Sequence, residues 1–126
     1  MSTVHAVGLD IVQVERIERS LIRFGKRLVR RLLGPAEQQR CASTANAAEF
    51  LAGRFAAKEA VIKGLGQYTN RRPRFAQLQI VNDAMGQPQL LITDELRAIL
   101  GGHRCLISIT HEKTMAAAVA VFSEET

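Results

Sequence analysis

The sequence predicts an α+β fold: an antiparallel sheet packed with one long central helix and shorter helices. Three observations carry this. Val4 to Val12 alternates with the two-residue period of a strand. Apolar residues at three-and-four spacing then mark helices across the middle of the chain. Two further pairs of strand-like segments, divided by a short helix, close it. Strands and helices segregated in this order define the α+β class rather than a βαβ repeat.

The first strand places Val4, Ala6, Gly8, Asp10 and Val12 on one face and His5, Val7, Leu9 and Ile11 on the other. Both faces are largely apolar, so the strand is expected to be buried, with Asp10 as its anomaly. A basic amphipathic helix follows. Ile17, Leu21, Phe24, Leu28 and Leu32 form its apolar stripe, and Arg16, Arg19, Arg23, Lys26 and Arg30 form a second, cationic one. Gly25 is expected to bend or split it. Gly34-Pro35 ends it and opens a short helix, with Pro35 in a first-turn position.

Asn46-Ala47-Ala48-Glu49 is a capping-box pattern and starts the long helix, which is expected to end at Gly64 or Gly66. Gln67 to Phe75 (QYTNRRPRF) is basic, contains Pro73 and is expected to be a loop. Leu78 to Val81 and Gln89 to Ile92 flank the turn-rich NDAMGQP, which predicts a hairpin. Thr93 is placed to cap a short helix ending near Gly101-Gly102. Arg104 to Thr110 and Met115 to Phe122 are strands joined by the tight turn HEKT. No internal repeat, linker or low-complexity tract interrupts this order.

A chain of 126 residues suits one domain spanning residues 1–126. Its apolar fraction of 47% and charged fraction of 23% are those of a globular protein rather than a disordered one. No apolar run approaches the roughly 20 residues that cross a bilayer. The N-terminus lacks a secretory pattern, so no signal peptide is expected. Cys41 and Cys105 are far apart in sequence and outside any CxxC pattern, which points to packing in a reducing compartment. The net charge of +5 predicts an anionic partner.

The candidate chemistry rests on four places. Asp10 either caps the following helix or is compensated in the strand by a partner or a metal, because an unpaired buried acid costs several kcal/mol. Glu59 and Lys63 have the spacing of an exposed ion pair. Joined with Asp10, they are also the two carboxylates and the cation of a Mg²⁺-phosphate site. Lys58 and Arg54 add positive charge on a neighbouring side of the same helix. His111, in the turn after CLISIT, is a solvated or capping residue, or else a phosphate contact or proton carrier. His5 and His103 are expected to be structural. The cationic helix fits an acidic protein best, with a solvated face as the alternative. Scarce aromatic residues argue against nucleic acid.

GLDIV (Gly8 to Val12), Arg16-Ile17, EFLAGRFAAKEAVIKGLG (Glu49 to Gly66), NDAMGQP and SITHEKTMAAA (Ser108 to Ala118) occur in an order and spacing that resemble the bacterial holo-[acyl-carrier-protein] synthases. These are short-chain 4′-phosphopantetheinyl transferases. The resemblance implies that family's fold. It also implies Mg²⁺-dependent transfer of the 4′-phosphopantetheine arm of coenzyme A to a serine of apo acyl carrier protein, releasing adenosine 3′,5′-bisphosphate. By resemblance, Asp10 and Glu59 hold the metal, and Lys63 joins them in catalysis and faces the diphosphate. Gly66, Ser108, Thr110 and His111 would lie near coenzyme A, while Arg16, Arg19, Arg23 and Lys26 would dock the acidic carrier. It further implies a cytoplasmic homotrimer of fatty acid biosynthesis with sites between subunits, where His111 serves a neighbour's Asp10. The base is left as Asp10 or a metal-bound water. Tyr68 stands where the family usually has glycine, so its loop is expected to take another path. Gln87 and Met115 are minor departures.

Overall fold

In the computed structural model, which describes residues 3–124, the elements follow the predicted order. They are β1 (Val4–Gln13), α1 (Val14–Phe24), α2 (Lys26–Leu32), α3 (Pro35–Ser43), α4 (Ala47–Leu65), β2 (Ile80–Asn82), β3 (Pro88–Leu90), α5 (Asp94–Leu100), β4 (His103–His111) and β5 (Met115–Glu124). A 3₁₀ turn at Phe75–Gln77 follows the loop after α4.

The main sheet has three antiparallel strands in the order β1-β5-β4, so β5 is central. β2 and β3 form a separate two-stranded sheet, in register Ile80 with Leu90. This hairpin is shorter and closer to its turn than the sequence predicts. Asp83 gathers the turn instead, accepting from the backbone N–H groups of Met85 and Gln87.

Helix α4 lies across one face of the main sheet and is enclosed on nearly all sides. Asn46 caps it, accepting from Glu49 N at 3.1 Å, as the capping-box pattern predicts. Small residues set its distance from the sheet. Ala116, Ala118 and Ala120 of β5 face Ala52, Ala56 and Ala60, all at most 3% exposed. Gly64 leaves room for the Phe122 ring, which a Cβ would meet at 2.1 Å. Gly8 matters most. A Cβ there would stand 1.7 Å from the Ala60 carbonyl oxygen, so β1 crosses α4 with backbone against backbone.

Two expectations are corrected. The first strand is buried on one face only. Ala6 and Val12 are in the core, but Val7, Leu9 and Ile11 are 45%, 65% and 64% exposed. The reason is architectural: α4 covers one side of the sheet, and among the described residues no other element covers the opposite side. Phe24 is also absent from the core, at 42% exposed. Gly25, at φ 56°, splits the basic helix into α1 and α2, leaving Phe24 as the last residue of α1 at the turn while Leu28 and Leu32 beyond it still pack on the core. Arg23 and Arg27 stack their guanidinium groups over the freed ring.

Gly8→Ala tests the crossing. The added methyl meets backbone, which cannot rotate away, so stability is expected to fall by about 3 kcal/mol, the upper range for overpacking. Urea unfolding of the variant and the parent measures the loss.

Candidate active site

The crossing at Gly8 and Ala60 places Asp10 two residues along β1, on the face turned to α4. Glu59 and Lys63 occupy the one stripe of α4 left open beside it, one turn apart. Lys63 does not form the expected pair with Glu59. Its ammonium donates to Asp10 Oδ1 at 2.8 Å and to the Leu9 carbonyl at 3.1 Å. The hydrogen bond and charge of Asp10, with Glu59 adding to them, hold the Lys63 ammonium above its usual range. Two carboxylates from different elements thus act on one cation. Asp10 is a paired acid rather than a helix cap, and Gln13 precedes α1 without a side-chain cap.

Lys63 also manages the free edge of the sheet. β1 is an edge strand, and its outward carbonyls need partners. Lys63 serves Leu9, and the Gln67 side chain both accepts from Val7 N and donates to Val7 O. Tyr68 turns inward behind it. Its hydroxyl donates to the Leu100 carbonyl at 3.1 Å, and its ring packs against His5 and His103. Burial pushes the Tyr68 hydroxyl up to about 12. The loop after Gly66 is therefore anchored by the side chains of Gln67 and Tyr68. Gly66 itself sits at φ −60°, a right-handed continuation of the helix rather than a left-handed cap.

Lys58 does not join the open stripe, contrary to the expectation that it adds charge there. It is fully buried. Its ammonium donates to Glu37 at 2.6 Å, to the Phe75 carbonyl at 3.0 Å and to the Leu32 carbonyl. Burial lowers its pKa, and Glu37 opposes that shift. Glu37 also accepts from Gly34 N and Ile80 N, both at 3.0 Å. This buried pair ties α2, α3, α4, the 3₁₀ turn and β2 together. Sequence reasoning missed Glu37; Pro35 at the first turn, with an acid two residues on, was its only signal.

Arg54 is 7% exposed and donates to Asn82 Oδ1 at 3.1 Å. With Arg40, Phe50, Asn82, Pro88 and His111 it lines a recess at the start of α4. Its Nε, which has no hydrogen-bond partner, lies 3.8 Å from Glu37. His111 Nδ1 donates to Glu49 Oε1. Arg40 and Asn82 were not singled out from the sequence, and only the fold brings them to His111. A larger recess lies elsewhere, between the β2–β3 hairpin, α5 and β4, and Asp83 is the one acid in its lining.

The candidate residues therefore fall into separate groups. Asp10, Glu59 and Lys63 meet at β1 and α4. His111 is on β4, across β5 from Asp10, and strands two apart stand about 10 Å from one another. Ser108 and Thr110 alternate with Ile109 along β4, so they face the uncovered side of the sheet, opposite His111. Arg16, Arg19, Arg23 and Lys26 are exposed on α1 and the start of α2. Cys41 is buried and Cys105 half-buried, and burial pushes the Cys105 thiol up to about 12, away from reactivity.

Among the described residues, no cluster of three or more His, Cys, Asp or Glu side chains is present. Asp10 and Glu59 nevertheless fit a Mg²⁺ ion, which takes one or two carboxylates and completes its shell with phosphate oxygens and water. Both already act on the same ammonium.

A small α+β fold with an acid pair and a lysine where the first strand crosses the longest helix is the arrangement of a phosphoryl-group transferase. The profile of the 4′-phosphopantetheinyl transferase superfamily matches residues 6–120. The holo-[acyl-carrier-protein] synthase of Protochlamydia amoebophila is 38% identical over 117 residues, covering 93% of this chain and 96% of the relative. That of Acidithiobacillus ferrooxidans is 43% identical over 120 residues, covering 91% and 93%. Among solved structures, the Neisseria meningitidis enzyme superposes with a TM-score of 0.85 at 31% identity, covering 98% of this chain and 100% of that one. The Bacillus anthracis enzyme, in complex with CoA (3′,5′-ADP), gives 0.80 at 30% identity, covering 97% and 98%. The chain belongs to the 4′-phosphopantetheinyl transferase superfamily and, within it, to the holo-[acyl-carrier-protein] synthases.

The two lysines of α4 predict opposite outcomes. Lys58→Ala leaves Glu37 buried and unpaired, so stability is expected to fall by about 3–5 kcal/mol. Lys63→Ala removes an exposed contact and is expected to leave the unfolding midpoint nearly unmoved. Thermal unfolding of both variants checks the contrast.

Proposed function

We propose that this protein transfers the 4′-phosphopantetheine arm of coenzyme A to a serine hydroxyl of apo acyl carrier protein and releases adenosine 3′,5′-bisphosphate. The observation that carries this reading is the ion pair of Asp10 with Lys63 where β1 crosses α4, with Glu59 one turn from Lys63 on the same open stripe. An anion-binding module gains nothing from two acids beside its cation, whereas a phosphoryl-transfer site needs both. Family membership supports the substrates, and the B. anthracis relative is itself a coenzyme A complex.

In this mechanism Asp10 and Glu59 hold Mg²⁺. When bound, the ion neutralises diphosphate charge and polarises the phosphoryl oxygens. Lys63, kept protonated by its acid neighbours, turns its ammonium to the diphosphate and stabilises the charge that develops there. The serine oxygen attacks the pantetheine-side phosphorus in line. Its proton passes to Asp10 or to a water at the same place, and the bond to the nucleotide phosphate breaks. The Arg40, Arg54 and His111 recess suits a further phosphate of the nucleotide end. The exposed cations Arg16, Arg19, Arg23 and Lys26 suit the acidic carrier.

The reading includes a homotrimer of single-domain chains, acting in the cytoplasm in fatty acid biosynthesis. The sheet supports the assembly: Val7, Leu9, Ile11 and Leu106 form an exposed apolar surface on its uncovered side. Ser108 and Thr110 share that side, so packing it against a neighbour puts them in the interface.

Intact-mass analysis of an apo carrier incubated with the protein, coenzyme A and Mg²⁺ is expected to show the added phosphopantetheine mass. No added mass on a competent carrier overturns the reading. Asp10→Ala is expected to cut transfer by about 100-fold or more while the protein stays folded. Leu9→Asp puts a charge on the apolar face, and sedimentation is expected to find a monomer with little transfer; an unchanged assembly sinks the trimer.

A further inference from the structure

A second recess, away from Arg40 and Arg54, lies between the end of α2, helix α4 and the loop before the 3₁₀ turn. Arg30, Arg31, Arg72 and Arg74 line it, over Ile62 and Phe75. All four arginines are exposed. Among the described residues, none has a carboxylate within ion-pair distance, and the lining contains no acid. Arg30 and Arg31 in the last turn of α2 complement its helix dipole. That does not account for Arg72 and Arg74, which come from the loop and add like charge to a concave surface, where the field is focused.

The walls of this recess are fixed. Lys58 binds the Leu32 carbonyl at the end of α2 and the Phe75 carbonyl at the end of the loop through one ammonium. Pro73 is buried between the two loop arginines. Arg74 N donates to Gln77 Oε1 at 2.7 Å, and Gln77 in turn donates to Glu95. The guanidinium groups are therefore carried on an ordered loop, which lowers the entropy lost on binding.

We propose that this four-arginine recess is a docking site for an acidic surface of the carrier protein beside its target serine, extending the α1 face toward the reacting centre. Two observations select this occupant. Ile62 is three residues from Glu59, on the same face of α4, so the recess begins one turn from the acid pair. The exposed cations of α1, assigned above to the carrier, are followed along the chain by Arg30 and Arg31 in the last turn of α2, so the recess adds to a basic surface already given to that partner. A carrier that presents its serine to Asp10 and Lys63 covers this ground. The inference rests on the carrier being the acceptor.

The test is direct binding, which separates docking from chemistry. Fluorescence anisotropy of a labelled apo carrier is followed with the parent protein and with Arg72→Glu/Arg74→Glu, and coenzyme A affinity is measured in parallel. The carrier Kd is expected to rise by about tenfold or more, with a flatter salt dependence and unchanged coenzyme A affinity. An unchanged carrier Kd overturns the proposal. A loss confined to coenzyme A also overturns it and assigns the recess to a phosphate of that ligand. Carrier binding that is arginine-dependent in a protein that transfers nothing supports the docking site and overturns the transferase reading alone. Arg72→Gln/Arg74→Gln, expected to give a smaller rise of the same kind, serves if the charge reversal disturbs folding.

Discussion

The crossing of β1 over α4 at Gly8 constrains everything around the site. Two backbones meet with no side chain between them, since a Cβ would overlap the Ala60 carbonyl. That approach brings Asp10 within hydrogen-bond reach of Lys63, although 53 residues separate them in sequence. A strand held even one methyl further out would leave Asp10 as an unpaired acid at the rim of the core. The acid proposed to hold the metal is thus positioned by a residue that has no side chain. The alanines of β5 extend the same logic, because each keeps the sheet flat under a helix that must pass close by.

Within α4, charge has two distinct uses. Lys58 is enclosed, and its three acceptors saturate its three donors. Such a pair adds little net stability over apolar residues of the same shape, because both charges must first be desolvated. What it adds is registration: one ammonium and one carboxylate fix the mutual positions of five elements. Lys63, five residues later, keeps its ammonium at the surface, free to exchange Asp10 for another anion. Two lysines of one helix are therefore held differently, one locked in the interior and one left at the surface beside the proposed site, and burial alone separates them.

The order and type of the strands and α-helices were legible because strand and helix periods are local properties, whereas the 3₁₀ turn at Phe75–Gln77 was not. The cap at Asn46, the break at Gly25 and the cap at Thr93 were legible for the same reason. Asp10, Glu59 and Lys63 could be named as a set, but their meeting depends on a strand–helix contact that no local pattern encodes. The fate of Lys58 was illegible because its partner, Glu37, lies 21 residues away in a helix with no chemical signature of its own. Phe24 was misplaced because it is the last residue of α1, where the chain turns at Gly25, although Leu28 and Leu32 beyond the turn keep to the core. The loop of Tyr68 follows from an aromatic contact with His5 and His103, which only the folded chain assembles.

The remaining misjudgement, a first strand buried on both faces, is informative about the site. Period-two alternation with two apolar faces predicts two covering layers, and α4 supplies one. Val7, Leu9 and Ile11 still require the second, because an apolar sheet face of this extent is unfavourable in water. Ser108 and Thr110 face the same uncovered side, while His111 lies across the sheet from Asp10. The assembly proposed above would supply that layer, since a second copy packed on the open face takes Val7, Leu9 and Ile11 out of water. Asp10 and His111 stay on the α4 side of the sheet, where the register holds both in line with the buried alanines of β5. The two apolar faces of the first strand thus reflect two different covers, one within the chain and one proposed outside it.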